Sequence, residues 1–132
     1  MSNEDDPLSF RVVDLPHSAT ACAEDAIKFL VGKLVEAGQI PAKQADRIAR
    51  QILHRESLGS TVIGRGSAVP HSKCNDVEKV QGIVGRSAVP INWPSTIDAG
   101  PVRCVYLLVT PASDPSACLR ALEAVSRKIR DG

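Results

Sequence analysis

The sequence predicts a single α/β domain in which a central β-sheet is flanked by helices. Apolar residues recur at helical spacing in three segments, 23–35, 45–53 and 118–129. Residues 102–109 are apolar at almost every position, which is typical of a central strand buried on both faces. Because strands and helices interleave along the chain, the expected architecture is a layered α/β sandwich.

The first half of the chain begins with a polar, acidic arm, which we take as residues 1–16. Apolar residues alternate within this arm over residues 8–13, and they indicate a short first strand. The first helix is expected to end before Gly38, because glycine is favoured just beyond a helix C-terminus. The second helix is expected to begin near Pro41, since proline is favoured in a first turn, and to end around Arg55.

The second half of the chain changes period. Residues 80–85 alternate as in a strand, and prolines and a glycine over residues 90–100 indicate a long turn. Alternation along the strong strand that follows places two sets of side chains on opposite faces. These sets are Cys104, Tyr106 and Leu108 on one face, and Val105, Leu107 and Val109 on the other. Helical spacing returns from Pro115 onward.

Composition limits the classes of function. The 132 residues are 43% hydrophobic, and 16 basic against 15 acidic side chains leave a net charge of +1. No run of Lys or Arg forms the basic patch that nucleic-acid binding requires. Without an apolar run of about 18 residues or a signal-peptide pattern, the expected location is the cytoplasm. Four cysteines without a C-x-x-C pair fit reduced thiols there.

The most informative segment, residues 55–73, presents one histidine at the end of a glycine-rich loop. Pro70 fixes its own φ and pushes the preceding residue into an extended conformation, so His71 has a restrained approach. An imidazole with an ordinary pKa of about 6.5 is mostly neutral and nucleophilic near pH 7. Arg55 and the hydroxyls of Ser60 and Thr61 are donors suited to phosphate oxygens. Since neither a Walker-type loop nor a magnesium-binding acidic cluster occurs, the phosphate is expected to come from another phosphoprotein.

Glu56 follows Arg55 in this segment, and we interpret it as a structural partner for a nearby base or amide. The string Arg-Glu-x-x-Gly-Ser-Thr-x-Ile-Gly-x-Gly-x-Ala-Val-Pro-His spans residues 55–71. It resembles the signature of enzyme IIA components of the bacterial sugar phosphotransferase system, of the fructose, mannitol and nitrogen-regulatory type. The Gly-Ser-Thr-x-Ile-Gly-x-Gly portion is closer to the nitrogen-regulatory branch.

The resemblance implies an α/β fold with a mixed sheet flanked by helices over residues 17–132. It implies that His71 accepts a phosphoryl group on Nε2 from a histidine phosphocarrier protein and passes it to an enzyme IIB component or uses it as a regulatory signal. Arg55 would stabilise charge, and Ser60 and Thr61 would bind phosphate. No cofactor is implied, and the membrane is involved only indirectly, through a transporter complex.

Two features depart from the family pattern. Many members carry a second histidine near the start of the helix after the central strand, and this chain has Cys118 there. The sequence also stops at Gly132, where relatives usually continue through a further helix. Two alternatives therefore stay open. One is a regulatory binding module with weak or no phosphotransfer, and the other is a metal site formed by His71, Cys74 and Cys118.

Overall fold

The structure, a computed structural model, describes residues 10–59, 61–93 and 101–131. Within these ranges a sheet of six strands lies between helices. In chain order the strands and helices are β1 (Arg11–Asp14), α1 (Ala23–Glu36), α2 (Ala45–Leu58), β2 (Val62–Gly64), β3 (Ser67–Ala68), β4 (His71–Cys74), β5 (Gln81–Ile91), β6 (Val102–Pro111) and α3 (Pro115–Asp131). Short 3₁₀ turns, His17–Ala19 and Ala42–Gln44, precede α1 and α2.

Strand β6 lies at the centre of the sheet. It pairs antiparallel with β5 on one side and parallel with β3 and β4 on the other. The outer pairs are β1 with β5, which is parallel, and β2 with β3, which is antiparallel. The sheet is therefore mixed, as the family resemblance implies. The short first strand predicted over residues 8–13 is present as β1, although β1 extends to Asp14 and residues 8 and 9 lie outside the described residues.

Alternation along β6 separates two apolar cores, as predicted. Val105, Leu107 and Val109 are completely buried on the face that α1 and α2 cover. Tyr106 and Leu108 lie on the opposite face, where they pack in one cluster with the apolar side of α3. Each fully buried Leu or Val contributes about 1.5–3 kcal/mol of transfer free energy. Strand β6, which was expected to be central, is thus buried between the two cores and contributes side chains to both.

The helices agree with the sequence prediction, with one extension. Gly38 has φ +72° just beyond α1, and its N–H donates to the carbonyl of Val35 at 2.9 Å. Helix α2 continues past Arg55 to Leu58, because Arg55 donates to the carbonyl of Gly59 at 2.7 Å and closes the final turn. In the described parts of the chain, no helix is both long and apolar enough to cross a membrane.

The glycine-rich loop is more ordered than predicted. Val62 pairs with Ala68 and Gly64 with Ser67, so β2 and β3 form a small hairpin. Arg65 and Gly66 at its tip have φ of 54° and 70°, the pattern of a type I′ turn. A left-handed conformation costs a non-glycine residue about 1–2 kcal/mol. Pairing of β3 with β6 offsets this cost, and that tertiary contact is invisible in local sequence.

Strand β5 also continues beyond the predicted 80–85 to Ile91, so the turn predicted over residues 90–100 does not begin at Pro90, and its part over residues 94–100 lies outside the described residues. Long pairing with β6 explains the extension, because the register runs from Gln81 opposite Val109 to Ile91 opposite Val102. Pro90, expected in the turn, instead lies within the end of this strand, next to an irregularity in the register between Arg86 and Ile91. Proline is tolerated at such irregular positions because it supplies no ladder N–H.

Titration of Tyr106, the single tyrosine of the chain, tests its packing in the α3 core. Burial, with a smaller contribution from the Cys104 thiol, raises the pKa of Tyr106 to about 12. Since an unfolded tyrosine ionises near its ordinary pKa of about 10, the unfolded state loses its proton first as pH rises. We therefore expect the free energy of unfolding to fall from about pH 10 to about pH 12.

Phenolate absorbance should accordingly show half-ionisation near pH 12 in the native protein, and near about 10 in concentrated urea. The Tyr106→Phe variant supplies the spectral baseline, and its unfolding free energy should fall less steeply over the same pH window. A native titration at the ordinary tyrosine pKa would show that this phenol is not buried in solution.

Candidate functional site

His71 is the first residue of β4 and pairs with Leu108 of the central strand. Its ring Nδ1 lies 2.8 Å from the carbonyl oxygen of Val69. Because a carbonyl oxygen can only accept, Nδ1 must carry the proton and donate it, which leaves the lone pair on Nε2. Nε2 makes no hydrogen bond with any residue that the structure describes. The half-buried ring thus offers Nε2 as its nucleophilic nitrogen.

The backbone before His71 is held at both ends. The N–H of Val69 donates to the carbonyl and to the hydroxyl oxygen of Thr61, both at 3.2 Å. The carbonyl of Pro70 accepts from the N–H of Leu108 at 3.0 Å. Proline adds its own restraint on the preceding residue. The carbonyl that orients the imidazole is therefore fixed relative to the central strand.

Glu56 anchors this arrangement from the end of α2. Its carboxylate is only 6% exposed, and it accepts from the N–H of Thr61 at 3.2 Å, from the Thr61 hydroxyl and from Trp93 Nε1 at 3.1 Å. Buried polar groups are stable when donors of this kind satisfy them. The interpretation of Glu56 as a structural partner agrees with these contacts, and the partners are an amide, a hydroxyl and an indole.

The two predicted phosphate-binding hydroxyls are placed unequally. Thr61 is buried, and its hydroxyl donates to Glu56 while accepting from the N–H of Val69. The phosphate-binding role of Thr61 stays a prediction, and in this structure its hydroxyl supports the backbone before His71. Ser60 lies outside the described residues.

Arg55 is exposed in the last turn of α2, and one of its guanidinium nitrogens donates to the carbonyl of Gly59. No hydrogen bond joins it to His71 in the described part of the chain. A guanidinium carries five N–H donors, so most of the donors of Arg55 are available to a ligand. Its predicted role in stabilising charge stays a prediction.

His71 faces the side of the sheet that α3 covers. Along β4, Ser72 donates to Gln51 of α2 at 2.8 Å, and Cys74 lies in the core beneath α1 and α2. Side chains alternate along a strand, so His71 and Lys73 point the opposite way. Cys118 is buried in the first turn of α3, beside Ala117, which packs in the same cluster as Val69. The second-histidine position and His71 therefore belong to the same layer.

The alternative of a metal site finds no support. His71 and Cys74 are three positions apart on one strand and so lie on opposite faces. No group of three or more His, Cys, Asp or Glu side chains suited to a metal ion occurs among the described residues, which include all three members of the alternative.

Sequence reasoning missed how the backbone before His71 is held. Trp93 lies 37 residues from Glu56 along the chain, and the hydrogen bond between their side chains carries no periodic signal. The carbonyl of Val69 is also invisible in sequence, because any residue type would supply it. The one sequence feature that indicated this role was Glu56 itself, a charged residue at the end of an amphipathic helix.

Comparison with known proteins identifies the family to which this sequence is similar. The sequence model of the family described as "Phosphoenolpyruvate-dependent sugar phosphotransferase system, EIIA 2" matches residues 12–132. A nitrogen regulatory protein of Bradyrhizobium diazoefficiens is 32% identical over 117 residues, which are 89% of this chain and 74% of that protein. The fructose-specific EIIA component of Haloferax volcanii is also 32% identical, over 83% of this chain and 69% of its own length.

Solved structures show the same fold. Nitrogen regulatory protein IIA-Ntr from Neisseria meningitidis has a TM-score of 0.68 at 23% identity, over 93% of this chain and 77% of that one. The mannitol enzyme IIA of Escherichia coli, in its complex with phosphorylated mannitol enzyme IIB, has a TM-score of 0.61 at 19% identity, over 84% of this chain and 81% of that one.

Replacing Glu56 with glutamine tests the anchor. Glu56→Gln keeps one acceptor oxygen but turns an NH₂ group toward donors that need an acceptor, so we expect a loss of about 1–3 kcal/mol of unfolding free energy. Urea unfolding followed by the fluorescence of Trp93, the single tryptophan, measures both the stability and the environment of its indole. The exposed Glu78 supplies the control Glu78→Gln, which should change neither. Equal stability of the two variants would show that the carboxylate does not anchor the loop.

Proposed function

We propose that this chain, which belongs to the type 2 enzyme IIA family of the phosphoenolpyruvate-dependent sugar phosphotransferase system, carries a phosphoryl group on Nε2 of His71. Enzyme IIA components are phosphotransfer proteins, so the question for this chain is which atom accepts the group. The observation that carries the proposal is the hydrogen bond from Nδ1 of His71 to the carbonyl of Val69. It leaves Nε2 as the basic nitrogen of a half-buried, oriented ring.

The proposed reaction moves only the phosphoryl group. The lone pair of Nε2 forms a bond to phosphorus while the bond from phosphorus to the donor's imidazole nitrogen breaks, and the donor keeps that electron pair. Nδ1 retains its proton, so the phosphorylated ring becomes cationic. The Val69 carbonyl then accepts a charge-assisted hydrogen bond, which stabilises this cation. Such transfers depend on positioning and on stabilising charge more than on covalent machinery.

The proposed donor is a histidine phosphocarrier protein, and the proposed acceptor is a cysteine of an enzyme IIB component. The structural likeness to a mannitol enzyme IIA that was solved with phosphorylated enzyme IIB supports a IIB-type acceptor. The exchange takes place in the cytoplasm, which the four free cysteines fit. It needs no cofactor, and it reaches the membrane only through a transporter that carries the IIB component.

A second function, regulation through the phosphorylation state of His71, is favoured by one comparison. The relative that matches 89% of this chain is a nitrogen regulatory protein. In this alternative a target protein binds the surface around His71, and transfer onward is weak or absent. Cys118 fits it, because a thiol donates a weaker hydrogen bond to a phosphoryl oxygen than the imidazole that many relatives carry.

Phosphorylation of His71 can be measured directly. Incubated with phosphoenolpyruvate, enzyme I and the histidine phosphocarrier protein, the chain should gain one acid-labile, base-stable phosphoryl group, seen as a mass increase. His71→Ala should abolish this gain. His54→Ala and His17→Ala replace the two other histidines, both exposed, and should be phosphorylated like the wild type. Phosphorylation that survives in His71→Ala would place the modified atom elsewhere.

Arg55 is expected to stabilise the phosphoryl group in transfer. Arg55→Ala should slow phosphorylation by about tenfold or more, which corresponds to about 1.4 kcal/mol of transition-state stabilisation. Arg50→Ala is the matched control, because Arg50 is exposed on the same helix and donates to the backbone four residues away, as Arg55 does. Equal rates for the two variants, measured by rapid quench, would reduce Arg55 to a residue that closes the end of α2.

A further inference from the structure

A cavity of about 290 Å³ opens on the α3 face of the sheet, between the tip of the β2–β3 hairpin, β6 and the last turns of α3. It is lined by Arg65, Ser67, Tyr106, Lys128 and Ile129. Two of these side chains are cationic, two carry hydroxyl groups, and none is a carboxylate. The cavity is therefore a concave site with positive charge and neutral donors, which suits an anion.

Arg65 is held at this cavity by its surroundings. It is the one non-glycine residue with positive φ in the described part of the chain. Its guanidinium donates to the carbonyl of Ile129 at 3.3 Å, and the carbonyl of the adjacent Gly66 accepts from the N–H groups of Arg103 and Cys104 at 2.8 and 3.0 Å. The hairpin turn and its contact with β6 therefore fix the backbone of Arg65 beside the cavity. The guanidinium keeps further N–H donors for a ligand.

Lys128 supplies the second cation. Its ammonium makes no hydrogen bond or ion pair with any described residue, although Asp131 lies three positions away on the same helix. Burial raises the pKa of the nearby Cys104 thiol, and the charge of Lys128 acts against that rise. Thus Lys128 brings positive charge to the cavity side of β6, and no carboxylate of a described residue is paired with it.

The hydroxyl groups complete the lining. Burial raises the pKa of Tyr106 to about 12, so its phenol stays protonated and can donate near neutral pH. Ser67 is buried, and its hydroxyl makes only a long contact of 3.4 Å to the carbonyl of Arg65. The Ser67 hydroxyl can turn toward oxygen atoms of a ligand, and the phenol of Tyr106, which contacts the Cys104 thiol, can donate to a ligand oxygen in place of that thiol.

We propose that this cavity binds a compact organic anion with several negatively charged oxygens, a phosphate ester or a polycarboxylate. The volume is close to the lower limit of small-molecule sites, about 300 Å³, so the ligand has the size of a small metabolite. Arg65 and Lys128 supply the charge, while Tyr106 and Ser67 donate to the remaining oxygens. The proposal does not depend on phosphorylation of His71, since it concerns the unmodified chain and different residues.

Isothermal titration of the unphosphorylated chain tests the proposal with four probes: inorganic phosphate, glucose 6-phosphate, citrate and unmodified glucose. We expect saturable, stoichiometric binding of the sugar phosphate or of citrate, and none of glucose. Glucose 6-phosphate and citrate distinguish the phosphate ester from the polycarboxylate. Backbone NMR shifts should map the bound anion to residues 65–67 and 128–129.

Variants separate this cavity from the site at His71. Lys128→Gln and Arg65→Gln should each weaken binding by about tenfold or more, as expected when a charge-assisted hydrogen bond is lost. Tyr106→Phe should weaken it by a smaller factor. Lys43→Gln removes an exposed cation outside the cavity and should bind like the wild type, and so should His71→Ala.

The proposal is overturned if no anion binds at concentrations up to about 10 mM. It is also overturned if Lys43→Gln loses as much affinity as Lys128→Gln, which would indicate attraction by net charge alone. Loss of binding in His71→Ala would also overturn the proposal, because it would show that the anion binds at His71 and not in the cavity. Circular dichroism of each variant confirms its fold, and Lys128→Gln, which removes no hydrogen bond within the described residues, keeps the test decisive if Arg65→Gln unfolds.

Discussion

The buried carboxylate of Glu56 is the contact on which the candidate site depends. It joins three parts of the chain that are distant or irregular: the end of α2, the start of the glycine-rich hairpin and the indole of Trp93. The Thr61 hydroxyl in turn accepts from the N–H of Val69, and the carbonyl of Val69 accepts from Nδ1 of His71. The protonated nitrogen of His71 is thus determined by a chain of hydrogen bonds that begins with a carboxylate the sequence places fifteen positions earlier. A substitution of Glu56 would therefore affect the imidazole of His71 through these hydrogen bonds, although the two side chains are not in contact through a hydrogen bond.

The second constraint is the alternation of β6, which divides the molecule into two layers. One face packs against α1 and α2, and the other packs against α3. His71 pairs with Leu108 and so takes the α3 side, where Tyr106 lies two positions along the same strand. Residues two apart on a strand are about 6.5–7 Å apart, so the proposed anion cavity and the proposed phosphorylation site share one face. Positive charge comes from separate elements, with Arg65 in the hairpin turn and Lys128 on α3 at the cavity, and Arg55 at the end of α2, which covers the other face.

Arg55 and Arg65 differ in their surroundings, and each suits a different ligand. Arg55 is exposed and makes one hydrogen bond, to the carbonyl of Gly59, so its other donors suit the proposed phosphoryl group of a partner protein. Arg65 is also exposed, but the hairpin turn fixes its backbone and its guanidinium donates to the carbonyl of Ile129, which suits a small ligand bound in the cavity. Donors that the fold holds in place lower the entropy cost of binding a ligand. The two proposed sites differ in position and in the kind of ligand that each would bind.

Periodicity and residue type by themselves determined the layers of this protein: the three helices, the central strand with its two faces and the segment that presents His71. These features arise because a residue's burial repeats every 3.6 or 2 positions, and because proline and glycine restrict the backbone locally. Only the tertiary structure decided the β2–β3 hairpin, the length of β5 and the hydrogen bonds of Glu56, since each depends on partners far along the chain. The cavity beside Tyr106 belongs to the same class, because its lining residues come from three elements that the fold alone brings together.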